Sequence, residues 1–303
     1  MPSLFACLIA SSASLQAAVL SFASPYNVYV LGNMQESNVD AEGRVAVGGN
    51  ATLTNYGVGS KLSGSPGNSL VVAGDLAYNG GEVHHGNIVY GGSLSGSFGV
   101  PNGSITHGSA IDFAAGNSYL LGASVYWSGL AANASTIDYY GGVHLVGSNA
   151  DLNVFSLTGA MLSSSWGVVI DAPAGSTVLI NVSGVADTFR YMGIQFQDLN
   201  SDGTGLTNRQ NVIYNFYEAT SLELNGISVQ GSILAPKATV NFNNGNVEGN
   251  LIAGNLIGTG EAHNYLFQGN LPSVPSQSQV PEPATLGLSL LGCALLVLRR
   301  RKS

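Results

Sequence analysis

Cysteine is nearly absent: the 303 residues hold two, Cys7 and Cys293, one near each end of the chain. The long stretch between them has no disulfide framework and no thiolate metal site, so its stability must come from packing and hydrogen bonds. Charge is scarce as well, at 9% of residues, and four of the nine basic residues form the final run Arg299, Arg300, Arg301 and Lys302. Between Ser24 and Gln279 only Arg44, Lys61, Arg190, Arg209 and Lys237 oppose sixteen carboxylates, a net charge of −11. Such a surface repels nucleic acid and anionic membrane and suits cations or neutral glycans. Catalytic motifs are also missing, since no Gly-x-Ser-x-Gly elbow, Walker loop or His-Glu-x-x-His occurs. The acids are scattered singly, and β-helical lyases and glycosidases need them clustered. The chain reads as a non-enzyme, with a carbohydrate-active lyase or hydrolase as the alternative.

Glycine, by contrast, is abundant: 41 residues, about twice the usual share. It weakens helices by roughly 1 kcal/mol per site relative to alanine and suits a chain that turns every few residues. From Tyr26 onward short apolar pieces alternate with Gly, Asn, Ser and Asp, the pattern of strands and turns. The pieces repeat. Gly231-Ser232-Ile233-Leu234-Ala235 returns as Gly249-Asn250-Leu251-Ile252-Ala253, 18 residues on. Val45-Ala46-Val47, Val71-Val72-Ala73 and Ile88-Val89-Tyr90 follow one another at offsets of 26 and 17. Such offsets match one coil of a β-solenoid, in which short strands stack on their equivalents above and below. The expected fold is all-β, a mostly parallel β-helix over about 26–272, with Gly231 to Ala253 as consecutive coils and Val45, Val47, Ile88, Ile233 and Leu251 pointing inward. An antiparallel β-sandwich is the alternative. Asp112 to Ala132 is expected to hold a short helix, and residues 273–280 read as a Ser/Gln/Pro linker.

The two ends read as export signals. Leu4 to Leu20 is apolar and small, although no Lys or Arg precedes it, and residues 1–23 read as a signal peptide with cleavage after Ala17 or Ala23. At the other end Pro281-Glu282-Pro283 leads into an uncharged apolar stretch, Ala284 to Leu298, and then the basic cluster Arg299 to Lys302. These fifteen residues are short for a bilayer core of about 30 Å, so a transmembrane helix here needs its flanks or local thinning. The cations stay cytoplasmic and everything before Pro281 lies outside.

The order of motif, apolar helix and basic run over 281–303 closely resembles the PEP-CTERM sorting signal. That resemblance implies recognition and cleavage by an exosortase, transient anchoring in the inner membrane of a Gram-negative, polysaccharide-producing bacterium, and a processing role for Pro281, Glu282 and Pro283. A second resemblance covers most of 26–272. Tyr26-Asn27-Val28-Tyr29-Val30-Leu31-Gly32-Asn33, Glu42 through Asn50, Val212-Ile213-Tyr214-Asn215-Phe216 and Gly231 through Pro236 together resemble the choice-of-anchor A domain. It implies surface display and an adhesive role towards extracellular polysaccharide or a neighbouring cell, and carries over no ligand or catalytic residue. A structural, self-assembling surface protein is a further alternative.

Three groups remain as candidate sites within the body. Asp198, Asn200 and Asp202, followed by Gly203, match the first half of a calcium loop, but the twelfth position is Arg209 where a bidentate Glu belongs. An Asx turn is the plainer reading, and no other cofactor is indicated. Glu82 and His84 share a strand face as a potential metal pair but need ligands from another coil. Tyr26, Tyr29, Tyr56, Tyr78, Tyr90, Tyr126, Trp127, Tyr139 and Tyr140 are candidates for stacking on sugar rings, or else cap the solenoid core. Regular Thr-x-Thr ranks of the kind that bind ice are missing, with Thr52-Leu53-Thr54 as the lone instance.

Overall fold

The computed structural model describes residues 19–197 and 208–275. The loop Asp198, Asn200, Asp202 and the tail residues Pro281 to Lys302 lie outside the described residues, as does most of the signal peptide.

The body is a parallel β-helix whose strands stack coil on coil. On its first face Val28–Val30 pairs with Val45–Val47, whose register continues through Asn68–Val72 and Asn87–Tyr90 to Ile105–His107, every pairing parallel. The other half of the chain builds the same face from the opposite end. Leu152–Thr158 pairs with Thr177–Ser183, then Val212–Phe216, then the starts of Ser232–Glu248 and Leu251–His263. The two halves meet where Val28 lies beside Leu251, so the first coil of the chain stacks on the last. Buried amides hold this seam. Asn27 Nδ2 donates to the Gly249 carbonyl at 2.7 Å and the His263 carbonyl at 2.9 Å, and Asn250 Nδ2 donates to the Tyr26 carbonyl at 2.6 Å.

Two further faces complete the central coils. The second carries Met34–Ser37, the first half of Ala51–Val58, and Leu76–Val83, and is continued on the other side of the seam by residues near Leu256, Val240 and Leu222. The third carries Asp40–Ala41 and the ends of the longer strands. Period-two alternation sends Val28, Val45, Leu53, Ile88, Ile233, Val240 and Leu251 into one continuous apolar core. All five inward positions expected from the sequence are there, and the Gly231 repeat stacks as expected, with Ile233 opposite Leu251.

Two details differ from the sequence reading. Val45 pairs with Leu70 rather than Val71, so Val71 points away from the core. The second is α1, Phe113–Ser128, which is 16 residues long and hence more than a short helix. Asp112 caps it, accepting from the Ala115 amide at 3.0 Å. It lies on the outer side of the first face: Asn117 reaches the Leu31 carbonyl at 3.1 Å, Ser124 donates to Asn215 at 2.6 Å, and Asn181 donates to the Trp127 carbonyl at 2.9 Å. Glycine is tolerated because packing supplies the stability that propensity lacks; Gly116 lets the helix approach the Tyr29 hydroxyl. A shorter helix, α2, covers Gly159–Ser164. A separate four-stranded sheet, Ser135–Tyr139, Gly142–Val146, Gly167–Asp171 and Gly193–Phe196, carries the one antiparallel pairing among the described residues. Residues through Leu271 form one compact unit; the second unit starts at Pro272, and its described residues, 272–275, form neither helix nor strand.

Candidate functional site

With the first face under α1, the second is the broad face left open. Its outward side chains fall into ranks because parallel coils in register place equivalent positions about 4.8 Å apart. One rank runs Asn225, Asn243, Thr259 on one side of the seam and Ser37, Thr54, Asn79, Ser97 on the other. The next runs Glu223, Asn241, Ile257, Gln35, Thr52, Ala77, Ser95. Thr52 and Thr54 stand together as the sequence indicates, but their rank neighbours are Gln35 and Ala77, and Ser37 and Asn79, so the face is largely polar and chemically mixed. Such a surface offers alternating donors and acceptors at fixed spacing.

A ladder along one edge stiffens this face. Asn255 Oδ1 accepts from the Asn33 amide at 2.9 Å, Asn33 Oδ1 from Asn50 at 2.8 Å, Asn50 Oδ1 from Asp75 at 2.9 Å, and Asp75 Oδ1 from Ser93 at 2.7 Å. The Ser93 amide and hydroxyl hold the Asp75 carboxyl below its usual range. The residues responsible follow a glycine at each corner, as in Gly32-Asn33, Gly49-Asn50, Gly74-Asp75, Gly92-Ser93 and Gly254-Asn255. That recurrence was available in the sequence as a signal for the ladder.

Of the histidine candidates, Glu82 and His84 do share a face, with Oε1 and Nδ1 2.8 Å apart. Among the described residues no three His, Cys, Asp or Glu side chains come together as a metal site. The acids are less isolated than the sequence indicates: Glu248, almost fully buried, meets His263 at 2.8 Å and Arg209 at 2.8 Å, and His263 approaches Glu261 at 3.4 Å. Burial alone lowers the His263 pKa, but the hydrogen bond and charge of Glu248, with Glu42 and Glu261, outweigh it and raise the net value. Arg209 also lies over the Tyr265 ring, 5.0 Å from its centre. Glu248 is thus saturated, with Asn246 donating to it at 3.1 Å, and binds neighbouring coils together.

The aromatic candidates divide. Tyr26, Tyr29, Tyr56, Tyr78 and Trp127 are buried, Tyr90 and Tyr126 half-buried, and only Tyr139 and Tyr140 stand exposed. Sequence reasoning missed Trp166, which is exposed beside them.

Residues 19–264 match the family described as "Putative Ice-binding-like adhesive domain", and residues 279–302 match the PEP-CTERM protein-sorting motif. Among solved structures, the chain is similar to the ice-binding protein of the Antarctic ascomycete Antarctomyces psychrotrophicus. The identity is 13% and the TM-score 0.32, over 82% of this chain and 97% of that one. No curated protein matches the chain.

Proposed function

Because the chain belongs to the ice-binding-like adhesive domain family over residues 19–264 and carries a PEP-CTERM sorting motif at 279–302, we propose that it is a non-catalytic adhesion protein that grips extracellular polysaccharide through its open second face. The sorting motif makes it an exported surface protein processed by an exosortase. The observation that supports the finer reading is the face itself: ranks of Asn, Thr, Ser and Gln at coil spacing, stiffened by an amide ladder and left uncovered by α1. A carbohydrate chain is a repeating array of hydroxyls, and a repeating array of amides and hydroxyls complements it. The choice-of-anchor A resemblance, a Gram-negative source and transient inner-membrane anchoring belong to the same proposal.

Incubating the purified protein with the producer's own polysaccharide tests this. The expected result is retention on sedimentation without new reducing or unsaturated ends, and retention falling severalfold in Thr54→Lys with Asn79→Lys. New chain ends would make the protein an enzyme, and neither retention nor new ends would favour self-assembly.

Processing follows from the ends. Leu20 and Ala23 are buried and the Tyr119 hydroxyl donates to the Val19 carbonyl at 2.9 Å, so cleavage after Ala23 would strip packed residues from the body. Cleavage after Ala17 leaves them. Mass spectrometry of released protein is expected to find an N-terminus at Ala18 and neither Cys7 nor Cys293; a tryptic peptide from the Ala284 to Leu298 region would contradict it.

A further inference from the structure

The small four-stranded sheet concentrates exposed apolar surface. Among the described residues eleven large hydrophobic side chains are exposed, and Ile137, Tyr139, Tyr140 and Trp166 all belong to this sheet or the turns beside it. Exposed apolar side chains gathered into one patch on an otherwise polar body mark an interaction site. Two of them, Tyr139 and Trp166, line a cavity of about 320 Å³ together with His144, Val169 and Gln197.

Trp166 is held as a platform. Its indole N–H donates to the Tyr140 carbonyl at 2.9 Å, and one edge of the ring lies so close over Gly142 that a Cβ there would sit 2.6 Å from a ring carbon. Glycine at that position is therefore required by the indole. Trp166 is 56% exposed, whereas the protein's other tryptophan, Trp127, is fully buried. A fixed, half-exposed indole next to a tyrosine, with an amide and an imidazole on the same wall, can stack on the C–H face of a pyranose and bond its hydroxyls. The volume lies at the small end of ligand sites, about 300–1,000 Å³, which is room for a ring rather than a chain. Among the described residues no Lys or Arg lines the cavity, Asp171 stands 3.8 Å from His144, and the body carries excess negative charge, all of which disfavour an anionic sugar.

We infer that the Trp166 and Tyr139 pocket binds a single neutral hexopyranose residue, at a site separate from the second face. The inference deepens the adhesive reading and rests on it for the class of ligand. Saturation-transfer NMR of the purified protein with methyl β-glucopyranoside, methyl β-galactopyranoside and methyl α-mannopyranoside tests it. At least one glycoside is expected to receive saturation, with affinity falling about tenfold in both Trp166→Ala and Tyr139→Ala. Trp127 emission and melting temperature report that each variant is folded, and Tyr139→Ala decides the matter if Trp166→Ala is not. No transfer to any of the three, or transfer undiminished in a folded variant, would overturn the site. The second-face variant Thr54→Lys with Asn79→Lys separates the two readings, because it should lose polysaccharide retention and keep glycoside binding. Glycoside binding by a protein that never retains polysaccharide would sink the face and leave the pocket standing; retention without glycoside binding would do the reverse.

Discussion

Ile233→Asp is expected to lower stability by on the order of 4 kcal/mol or more, enough to unfold much of the protein at ambient temperature. Ile233 is fully buried, with Tyr214 beside it on one coil and Leu251 on the next. Aspartate there removes the apolar burial and leaves a carboxylate with no partner in a core of Val, Leu and Tyr. Asn243→Asp is the matched control. The Asn and Gly around Asn243 suggest a turn, but Asn243 lies on a strand with its side chain outward, and the strand runs on through Asn244, where φ is 52° and the register with the next coil shifts. Its amide donates to Asn241 at 2.7 Å near the surface, so the change should cost less than about 1 kcal/mol. Urea or thermal melts of the two variants check this. Equal midpoints would contradict the inward register of the whole strand.

That register was legible because the repeats were. Strand motifs that recur with small residues after them specify stacking, and Ile233 over Leu251 follows directly. The same method slipped by one residue at Val71, since Leu70-Val71-Val72 offers two apolar alignments and a one-residue shift exchanges the core and outer sides. What no local pattern reveals is the seam. The pairing of Val28 with Leu251 joins residues more than two hundred positions apart, and nothing near either announces its partner. The candidate surfaces divide similarly. Thr52 and Thr54 were visible as a pair, but the rank that holds them needs coils in register. Trp166 became significant only when the fold set it over Gly142 beside Tyr139, and half of the eight tyrosines offered for sugar contact are buried.

Glu36 is the residue at which sequence pattern and structure disagree most, and its replacement by glutamine is expected to stabilise the protein at neutral pH. Met34-Gln35-Glu36-Ser37 reads as a polar strand, yet alternation sends Met34 and Glu36 inward, and Glu36 is only 2% exposed. Its neighbour across the coil is Gly258, whose φ of 144° and contact with the Phe242 carbonyl leave no place for a side chain. Desolvation dominates the environment. The Gly260 amide opposes it without completing a hydrogen bond to either carboxyl oxygen, and the pKa is pushed up from 4.5 to about 9. Glu36 is therefore neutral in the folded protein at pH 7, while in the unfolded chain it ionises above about pH 4.5. Below that pH both states hold the proton and the group carries no penalty. As pH rises the unfolded state gains the stability of ionisation and the folded state does not, so the penalty grows by about 1.4 kcal/mol per pH unit until the folded pKa is reached. At pH 7 it amounts to about 3 kcal/mol. Glu36→Gln keeps the shape and removes the titration. Urea melts of wild type and variant at pH 5, 7 and 8.5 should show a difference that is small at pH 5 and widens steadily, with the variant the more stable. His263 and Asp187, whose pKa values are also raised, titrate in both proteins and cancel from the comparison. A difference that stayed constant from pH 5 to 8.5 would mean that Glu36 reaches solvent or a partner and is charged in the fold.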